Sequence, residues 1–283
     1  MGDNTMKAIT RDRYGSPDVL QLQDVPKPVP GDKEVLVRVR AASINPYDWH
    51  FLRGMPYFAR PAATGLFRPK HSILGSDAAG QVEAVGSGVT RFRRGDEVFG
   101  LVERGGLAEY LSVSEERLGL KPQRLTFEQA AAVPLAGTTA LQGLRDAGHL
   151  SPGQRVMIIG ASGGVGTFAV QIARAFEARV TGVCGTRNFE LVRSIGANHV
   201  IDYTRDDFTR TAEKYELIFQ LAGTHSASAL RRVLTSDGTL VLSSGDSVNR
   251  VIGPLDGVVK AVLLSRSSAR TSAHSWRNQV RKI

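Results

Sequence analysis

The chain lacks the residues on which disulfide and multi-cysteine metal frameworks depend. It has one cysteine, Cys184, among 283 residues, so it forms no internal disulfide and has no set of cysteines for a structural zinc site. A reducing compartment is the expectation that follows. Apolar runs of membrane-spanning length are also missing, and the N-terminal segment MGDNTMKAIT has no signal-peptide core. A cytoplasmic protein without a membrane partner is therefore predicted.

Acidic residues are the minority among the charged side chains. Thirty-six Lys and Arg against 27 Asp and Glu give a net charge of +9, and five of these cations lie between Ser265 and Ile283, where there is no acid. The rest of the chain carries only +4 and has the mixed charges of a solvated surface. The basic tail has no aromatic stacking platform or recognition motif, so no nucleic-acid partner is predicted.

The first half of the sequence has the pattern of a β-rich domain. Residues 35–41 and 80–85 alternate in polarity, and turn signals follow at 86–88 and 94–96. Short strands at close spacing, with glycine and proline between them, favour a small barrel or sandwich.

The second half alternates strands with helices. Thr126 and Gln129 form a capping box, and Val165 begins an amphipathic helix that continues to Phe176. This alternation predicts a doubly wound parallel sheet of the Rossmann type, an α/β fold. Strands are predicted over Val156–Ile159, Arg179–Val183, His199–Tyr203, Glu216–Leu221 and Thr239–Ser243. The predicted organisation is a β-rich domain over 1–123, a nucleotide-binding domain over 124–264 and a basic, disordered tail over 265–283.

A glycine-rich loop, GASGGVG at 160–166, follows the first strand of the second half. Gly163 and Gly166 occupy the second and third glycine positions of the dinucleotide fingerprint, and Ala161 replaces the first. The strand before the loop and the helix after it supply the required βαβ context. The residues predicted to bind the pyrophosphate of a cofactor are Ser162, Gly163, Gly164, Val165 and Gly166.

The same loop matches G-x-S-x-G, the nucleophile elbow of hydrolases, with Ser162 at its centre. A hydrolase would also need an acid and a histidine, for which Asp202 with His225, or Asp246 with His274, are the available pairs. Neither histidine follows a late strand convincingly, and no oxyanion segment precedes the loop. The dinucleotide interpretation is therefore favoured.

The end of the second Rossmann strand indicates which cofactor is bound. NAD sites usually carry an acid there for the ribose 2′-hydroxyl, but the first acid in this chain is Glu190. Thr186, Arg187 and Asn188 instead offer a hydroxyl, a cation and an amide, which suit a 2′-phosphate. NADPH is the predicted cofactor.

Seven further segments, together with the glycine loop, resemble the medium-chain dehydrogenase/reductase superfamily and its zinc-independent, zeta-crystallin-like quinone oxidoreductase branch. The resemblance implies a GroES-like catalytic domain followed by a Rossmann domain, and it is compatible with a homodimer. The segments are 43–48 (SINPYD), 74–80 (LGSDAAG), 94–100 (RGDEVFG), 106–110 (GLAEY), 135–141 (LAGTTAL), 196–203 (GANHVIDY) and 238–244 (GTLVLSS).

The resemblance also indicates the chemistry. Zinc alcohol dehydrogenases of this superfamily carry a cysteine where Asn45 stands and a His-Glu pair where Ser76 and Asp77 stand. Without those ligands there is no Lewis acid to polarise a carbonyl. The implied reaction is hydride transfer from NADPH to a small quinone or α,β-unsaturated carbonyl compound, without zinc.

By the same resemblance, Asn45 and Tyr47 lie beside the nicotinamide. Asn45 is expected to hydrogen-bond the cofactor or the acceptor carbonyl, and Tyr47 to donate a hydrogen bond or a proton; a wall residue is the alternative role for Tyr47. Asp48 is expected to accept hydrogen bonds in a turn. The further cofactor-binding residues that the resemblance implies are Thr139, Tyr203, Leu221 and Gly223.

The resemblance ends near Leu264. Relatives continue with a sixth Rossmann strand, a helix and a return segment, whereas residues 265–283 of this chain show little apolar periodicity. A shortened C-terminus is the expectation, and it leaves a second hypothesis open. In that hypothesis the protein is a truncated, weakly active or inactive remnant that still binds NADPH.

Overall fold

The structure is a computed structural model that describes residues 4–55, 57, 60, 65–223 and 225–243 and the backbone of 271–273. The chain divides into two compact units, which meet along the sequence at Leu135 and Ala136. No helix within the described ranges is long and apolar enough to cross a bilayer.

The first unit is built mainly from antiparallel strands. In its described part, β1 and β2 form a two-stranded sheet, and five strands form a second sheet in the order β6-β3-β4-β5-β7. Val35 and Val37 of β3 and Val82 of β4 are fully buried in its core. The elements are β1 (Thr5–Thr10), β2 (Gln21–Pro26), β3 (Glu34–Ser43), α1 (Pro46–Arg53), β4 (Asp77–Val85), β5 (Glu97–Leu101), β6 (Tyr110–Ser114), β7 (Leu118–Leu120) and α2 (Phe127–Ala131), with α3 (Pro134–Gln142) leading into the second unit.

Helix α1 follows β3 and positions two residues with a predicted role, Asn45 at its start and Tyr47 in its first turn. Asn45 is its N-cap, Pro46 occupies the first helical turn, and the Asp48 carboxylate accepts a 2.9 Å hydrogen bond from the Asn45 backbone N–H. Gly54, in a left-handed conformation, ends the helix. These local signals fix the positions of Asn45 and Tyr47 relative to the end of β3.

The second unit contains a parallel sheet in the order β10-β9-β8-β11-β12-β13 among its described strands. This is the 3-2-1-4-5-6 order of the doubly wound dinucleotide-binding fold. Helix α4 packs Ala169, Val170 and Ala173 into the core on one face of the sheet. The elements are β8 (Arg155–Ile159), α4 (Gly164–Ala175), β9 (Arg179–Cys184), α5 (Phe189–Ser194), β10 (His199–Asp202), β11 (Tyr215–Gln220), α6 (Ala227–Arg231), β12 (Leu234–Leu242) and β13 (Thr271–Ala273).

The predicted tail contains an element that its composition does not indicate. Backbone residues Thr271–Ala273 pair in parallel with Leu240–Leu242 of β12 and occupy the sixth place in the sheet. Such pairing on an open sheet edge requires little of the side chains. The disordered tail over 265–283 stays a prediction. Asp246 and His274 lie outside the described residues.

Residues 124–135 pack with the first unit rather than the second. Ala130 and Ala131 of α2 are buried against Ala79 of β4, and the capping box that begins α2 has both predicted hydrogen bonds, between Thr126 and Gln129. The domain boundary at residue 123 stays a prediction.

Candidate cofactor and active sites

The glycine loop presents the N-terminus of α4 at the carboxyl end of β8. Gly163 is the N-cap, and its carbonyl accepts the first helical hydrogen bond, from Thr167 N–H at 2.9 Å. The N–H groups of Gly164, Val165 and Gly166 precede that bond and so have no intrahelical acceptor. Gly163 and Gly164 are exposed, so this end of the helix offers donors and a positive dipole to an anion.

Close backbone packing explains why position 166 of the loop is glycine. A Cβ at Gly166 would lie 2.1 Å from the Gly160 carbonyl oxygen and 2.7 Å from the Ala161 carbonyl carbon. A Cβ at Gly164 would meet no atom within 4 Å, so the space outside that residue is open. The loop is therefore tightly packed at Gly166 and open at Gly164. This open space, here called the cradle, fits the pyrophosphate of a dinucleotide.

Ser162 has an amide partner. Its hydroxyl oxygen accepts a 3.1 Å hydrogen bond from Asn188 Nδ2, which brings two predicted cofactor residues together. Asp202, the acid considered for a hydrolase, accepts from Thr186 and Thr204, and His225 packs against the Phe208 ring. The described contacts therefore do not assemble a Ser-His-Asp arrangement around Ser162.

The residues predicted to select the 2′-phosphate lie at the ends of β9 and β10. Thr186 donates a 2.5 Å hydrogen bond to the Asp202 carboxylate. This hydrogen bond is the largest of the causes that lower the pKa of Asp202. Arg187 is exposed. The exposed ring of Tyr203 lies against Gly185, about 3.6 Å from the place a Cβ would take there. A cation and an aromatic ring thus flank the end of β9, a donor set that fits an adenosine 2′-phosphate.

The remaining predicted cofactor residues follow β11 or precede β8. Leu221 N–H donates to the Ile159 carbonyl at 2.9 Å, and a Cβ at Gly160 would approach Ala222. Residues 221–223 therefore adjoin the glycine loop. Thr139 lies half-buried in α3.

A second site, within the first unit, is organised around the side chain of Asn45. Its amide nitrogen lies 3.1 Å from Ser43 Oγ, 3.2 Å from Ser76 Oγ and 3.1 Å from Asp77 Oδ2. The two amide hydrogens are therefore used inside the protein, and the amide oxygen is the atom of Asn45 that retains capacity to accept from a ligand.

Two buried carboxylates hold this arrangement. Asp77 is fully buried and accepts from Ser43 Oγ at 3.0 Å and from the Leu135 N–H at 3.1 Å. Burial raises its pKa to about 6, although these hydrogen bonds act to lower it. Asp48 is also buried and accepts from Ser76 Oγ at 3.0 Å and Gly75 N–H at 3.1 Å, so it acts as the structural acceptor that the sequence predicts.

Tyr47 lies on α1, two residues after Asn45. Its ring packs on Phe51 with the ring centroids 4.4 Å apart. Burial, followed by the negative charges of Glu103 and Asp48, raises the pKa of its phenol to about 12. The group is therefore a protonated hydrogen-bond donor throughout the physiological range.

The three positions that the resemblance aligns with the ligands of zinc alcohol dehydrogenases are hydrogen-bonded to one another in this chain. Asn45, Ser76 and Asp77 replace the cysteine, histidine and glutamate, and the Asn45 amide nitrogen contacts both of the others. An amide, a hydroxyl and one carboxylate are a poor donor set for Zn²⁺, which prefers thiolate and imidazole. Across the described ranges, no group of three or more His, Cys, Asp or Glu side chains is placed to hold a metal.

Asp77 gives a pH-dependent contribution to stability. Its folded pKa of about 6 exceeds the ordinary value of 3.8, so the folded protein holds this proton more tightly than the unfolded chain does. The resulting stability is fully present below about pH 4 and is lost as the pH rises through about 6, by about 3 kcal/mol in total. Urea unfolding should show the wild-type stability falling by up to this amount relative to Asp77→Asn between these pH values. A constant difference would contradict the raised pKa.

Comparisons with known proteins identify the family. The model of the alcohol dehydrogenase GroES-like domain matches residues 31–123, and that of the zinc-binding dehydrogenase domain matches 164–283. The chain is 36% identical over 252 residues to 2-methylene-furan-3-one reductase of Solanum lycopersicum (85% of this chain, 62% of the relative). It is 35% identical over 254 residues to the chloroplast envelope quinone oxidoreductase homolog of Arabidopsis thaliana (85% of this chain, 75% of the relative).

Solved structures agree with this result. The quinone oxidoreductase from Coxiella burnetii has a TM-score of 0.80 at 30% identity and covers 95% of this chain, which covers 82% of it. Escherichia coli quinone oxidoreductase complexed with NADPH has a TM-score of 0.77 at 26% identity, with 95% and 81% covered. The chain belongs to the medium-chain dehydrogenase/reductase superfamily, among its quinone oxidoreductase-like members. It is an α/β oxidoreductase of the class that uses a nicotinamide cofactor.

Several residues of these sites escape prediction from the sequence. Asp202 is fixed by contacts between two neighbouring strands, and Ser43 reaches Asp77 across 34 residues of sequence. Helix α1 is different, because Asn-Pro at its start and glycine at its end are local signals that could have revealed it.

Proposed function

We propose that the protein reduces a quinone or an α,β-unsaturated carbonyl compound with NADPH and without zinc. The observation that carries this proposal is the hydrogen-bonded set of Asn45, Ser76 and Asp77 beside the protonated phenol of Tyr47. A conjugated acceptor needs no Lewis acid of the kind that an alcohol or an isolated carbonyl requires. The Solanum lycopersicum relative, a 2-methylene-furan-3-one reductase, and the Coxiella burnetii quinone oxidoreductase support the same acceptor class.

The chain's own residues orient the reactants and supply hydrogen bonds. NADPH, when bound, supplies the hydride. Tyr47 donates a hydrogen bond to the acceptor oxygen, where negative charge develops as the conjugated system is reduced. The amide oxygen of Asn45, held in place through its nitrogen, accepts a hydrogen bond from the cofactor or the substrate. For a quinone, the reduced oxygen then receives a proton from solvent or through the Tyr47 hydroxyl. For an enone, the hydride adds to the β-carbon and the α-carbon of the resulting enolate takes a proton from solvent.

We further propose NADPH rather than NADH as the cofactor. The N–H groups at the start of α4 bind the pyrophosphate, with Ser162 and Asn188 beside them. Arg187 pairs with the 2′-phosphate, and Tyr203 packs against the adenosine end. The NADPH complex of the Escherichia coli relative supports this choice.

Steady-state oxidation of NADPH with 9,10-phenanthrenequinone and with a simple enone such as 3-penten-2-one tests the activity. Turnover well above the rate in buffer is the expected result. Tight NADPH binding by fluorescence without turnover of either acceptor would instead support the inactive remnant. Failure of both measurements would overturn the cofactor proposal as well.

Arg187→Ala should raise the KM for NADPH about tenfold and change that for NADH little, since a charge-assisted bond to a phosphate is lost only with NADPH. Initial rates with each cofactor at a saturating acceptor concentration measure the effect. Arg193→Ala is the matched control, because Arg193 is exposed on α5 and packs on Phe189. Equal increases for the two cofactors would defeat the assignment of Arg187.

A further inference from the structure

Three cations lie on adjoining segments of the first unit, around His71. Arg11, Lys70 and Arg104, here called the cationic rim, form no ion pair with any acid of the described residues. Backbone hydrogen bonds join the three segments that carry them: Arg11 N–H to the Ser72 carbonyl at 2.9 Å, and Leu107 N–H to the Leu74 carbonyl at 3.0 Å. The rim is therefore one local feature of the fold.

Arg11 is a buried cation, which is unusual for an arginine. It is 5% exposed, and its guanidinium donates to the Phe51 carbonyl and lies 5.4 Å from the centre of the Tyr14 ring. Its Nε has no hydrogen-bond partner among the residues that the structure describes. Burial lowers its pKa, and an unpaired buried cation costs free energy unless an anion compensates it.

Two acids near Tyr47, Glu103 and Asp48, are already engaged in other contacts. Glu103 forms a 3.0 Å ion pair with Arg117, and the Asp48 carboxylate accepts from Asn45, Ser76 and Gly75. His71 lies among the rim cations, and partial desolvation followed by the charges of Arg104, Lys70 and Arg11 lowers its pKa. The rim thus keeps an uncompensated positive charge.

Arg104 connects the rim to the reacting groups. The N–H groups of Val102 and Glu103 both donate to the Ser76 carbonyl, at 2.7 and 3.1 Å, and Ser76 also contacts the Asn45 side chain. Glu103 has a φ of 65°, an uncommon value for a residue with a side chain. This turn holds the next residue, Arg104, exposed at the edge of the site.

We propose that the cationic rim recognises an anionic group on the acceptor, with Arg104 as the residue that contacts it. The substrate class would then be a quinone or enone that carries a carboxylate, sulfonate or phosphate. A guanidinium suits such groups because it donates two parallel hydrogen bonds. The inference rests on the proposed function and narrows its substrate class.

A matched pair of acceptors tests the proposal: 1,2-naphthoquinone-4-sulfonate and 1,2-naphthoquinone, at saturating NADPH and with the rate without protein subtracted. Because the sulfonate also changes electrophilicity, the informative quantity is the change on mutation in the ratio of their kcat/KM values. Arg104→Gln should lower the charged-to-neutral ratio about fivefold, and Arg104→Lys, which keeps the charge but loses the two parallel hydrogen bonds, should give an intermediate ratio. Raising the salt concentration should lower the ratio in the wild type more than in Arg104→Gln.

Arg93→Gln is the control, because Arg93 is an exposed arginine of the same unit that pairs with Asp96 in a turn. Its ratio should stay within about twofold of the wild-type value. An Arg104→Gln ratio equal to that of the wild type would overturn the inference and leave the proposed function standing.

Absence of turnover with both quinones would overturn the proposed function instead. Equilibrium dialysis against naphthalene-2-sulfonate and neutral 2-naphthamide then decides the inference separately. Preferential binding of the sulfonate that weakens about fivefold in Arg104→Gln supports an anion site. Equal binding of the two compounds refutes it.

Discussion

Gly166→Ala is expected to destabilise the fold by about 4 kcal/mol and to abolish detectable NADPH binding. The added Cβ would lie 2.1 Å from the Gly160 carbonyl oxygen and 2.8 Å from the Ala161 Cα. Both are backbone atoms, so no side-chain rotation relieves the clash, and α4 must move away from β8. Urea unfolding and NADPH fluorescence titration measure the two effects.

Gly164→Ala tests the effect on NADPH binding separately from the effect on stability. Its Cβ would meet no protein atom within 4 Å, so stability should be unchanged or rise by up to about 1 kcal/mol. NADPH affinity should nevertheless fall about tenfold, because the methyl group would enter the space next to the pyrophosphate-binding N–H groups. A Gly166→Ala protein as stable as the wild type would contradict the packing argument, and unchanged affinity in Gly164→Ala would contradict the cradle.

Tyr47→Phe is expected to lower kcat for quinone and enone acceptors about a hundredfold. The substitution keeps the ring packing on Phe51 and removes the donor to the acceptor oxygen. Affinity for NADPH should not change, and stability should change by no more than about 1 kcal/mol. Tyr110→Phe, on β6, is the control, because its half-buried ring packs under Lys27. Stopped-flow single turnovers separate this effect from product release.

The pH profile tests whether the phenol keeps its proton, and Tyr47→Phe distinguishes a donor from a wall residue. The Tyr47 phenol has a pKa of about 12, so its proton stays in place as the pH rises and the single-turnover rate should be flat from about pH 7 to about pH 10. A Tyr47→Phe rate close to that of the wild type would assign the residue to the wall of the site.

Local sequence signals predict the first strand and helix of the nucleotide-binding half. The helix predicted from Val165 begins one residue earlier and ends at Ala175, and the strand predicted over Val156–Ile159 begins at Arg155. Both predictions are confirmed, because periodicity and the glycine loop act over a few residues. The strand predicted over Thr239–Ser243 begins earlier, at Leu234, since its register against β11 shifts between Tyr215 and Leu217.

Contacts between distant segments set the limit of such prediction. The residue types at 45, 76 and 77 indicate which ligands are missing, but not that these side chains bond to one another. That arrangement depends on the pairing of β3 with β4, which brings Ser43 opposite Asp77. Likewise, nothing in the sequence near Arg11 shows that its charge is buried, because burial comes from the packing of α1 and the segment around Ser72.

The hydrogen bonds among Asn45, Ser76 and Asp77 also bear on how the protein matures in a cell. Under the proposed function, the site assembles from the chain's own side chains during folding, with no separate step of metal delivery. Activity recovered after refolding should therefore appear together with native structure, at a rate indifferent to chelators in the buffer. An organism could keep such a reductase working through periods when zinc is scarce.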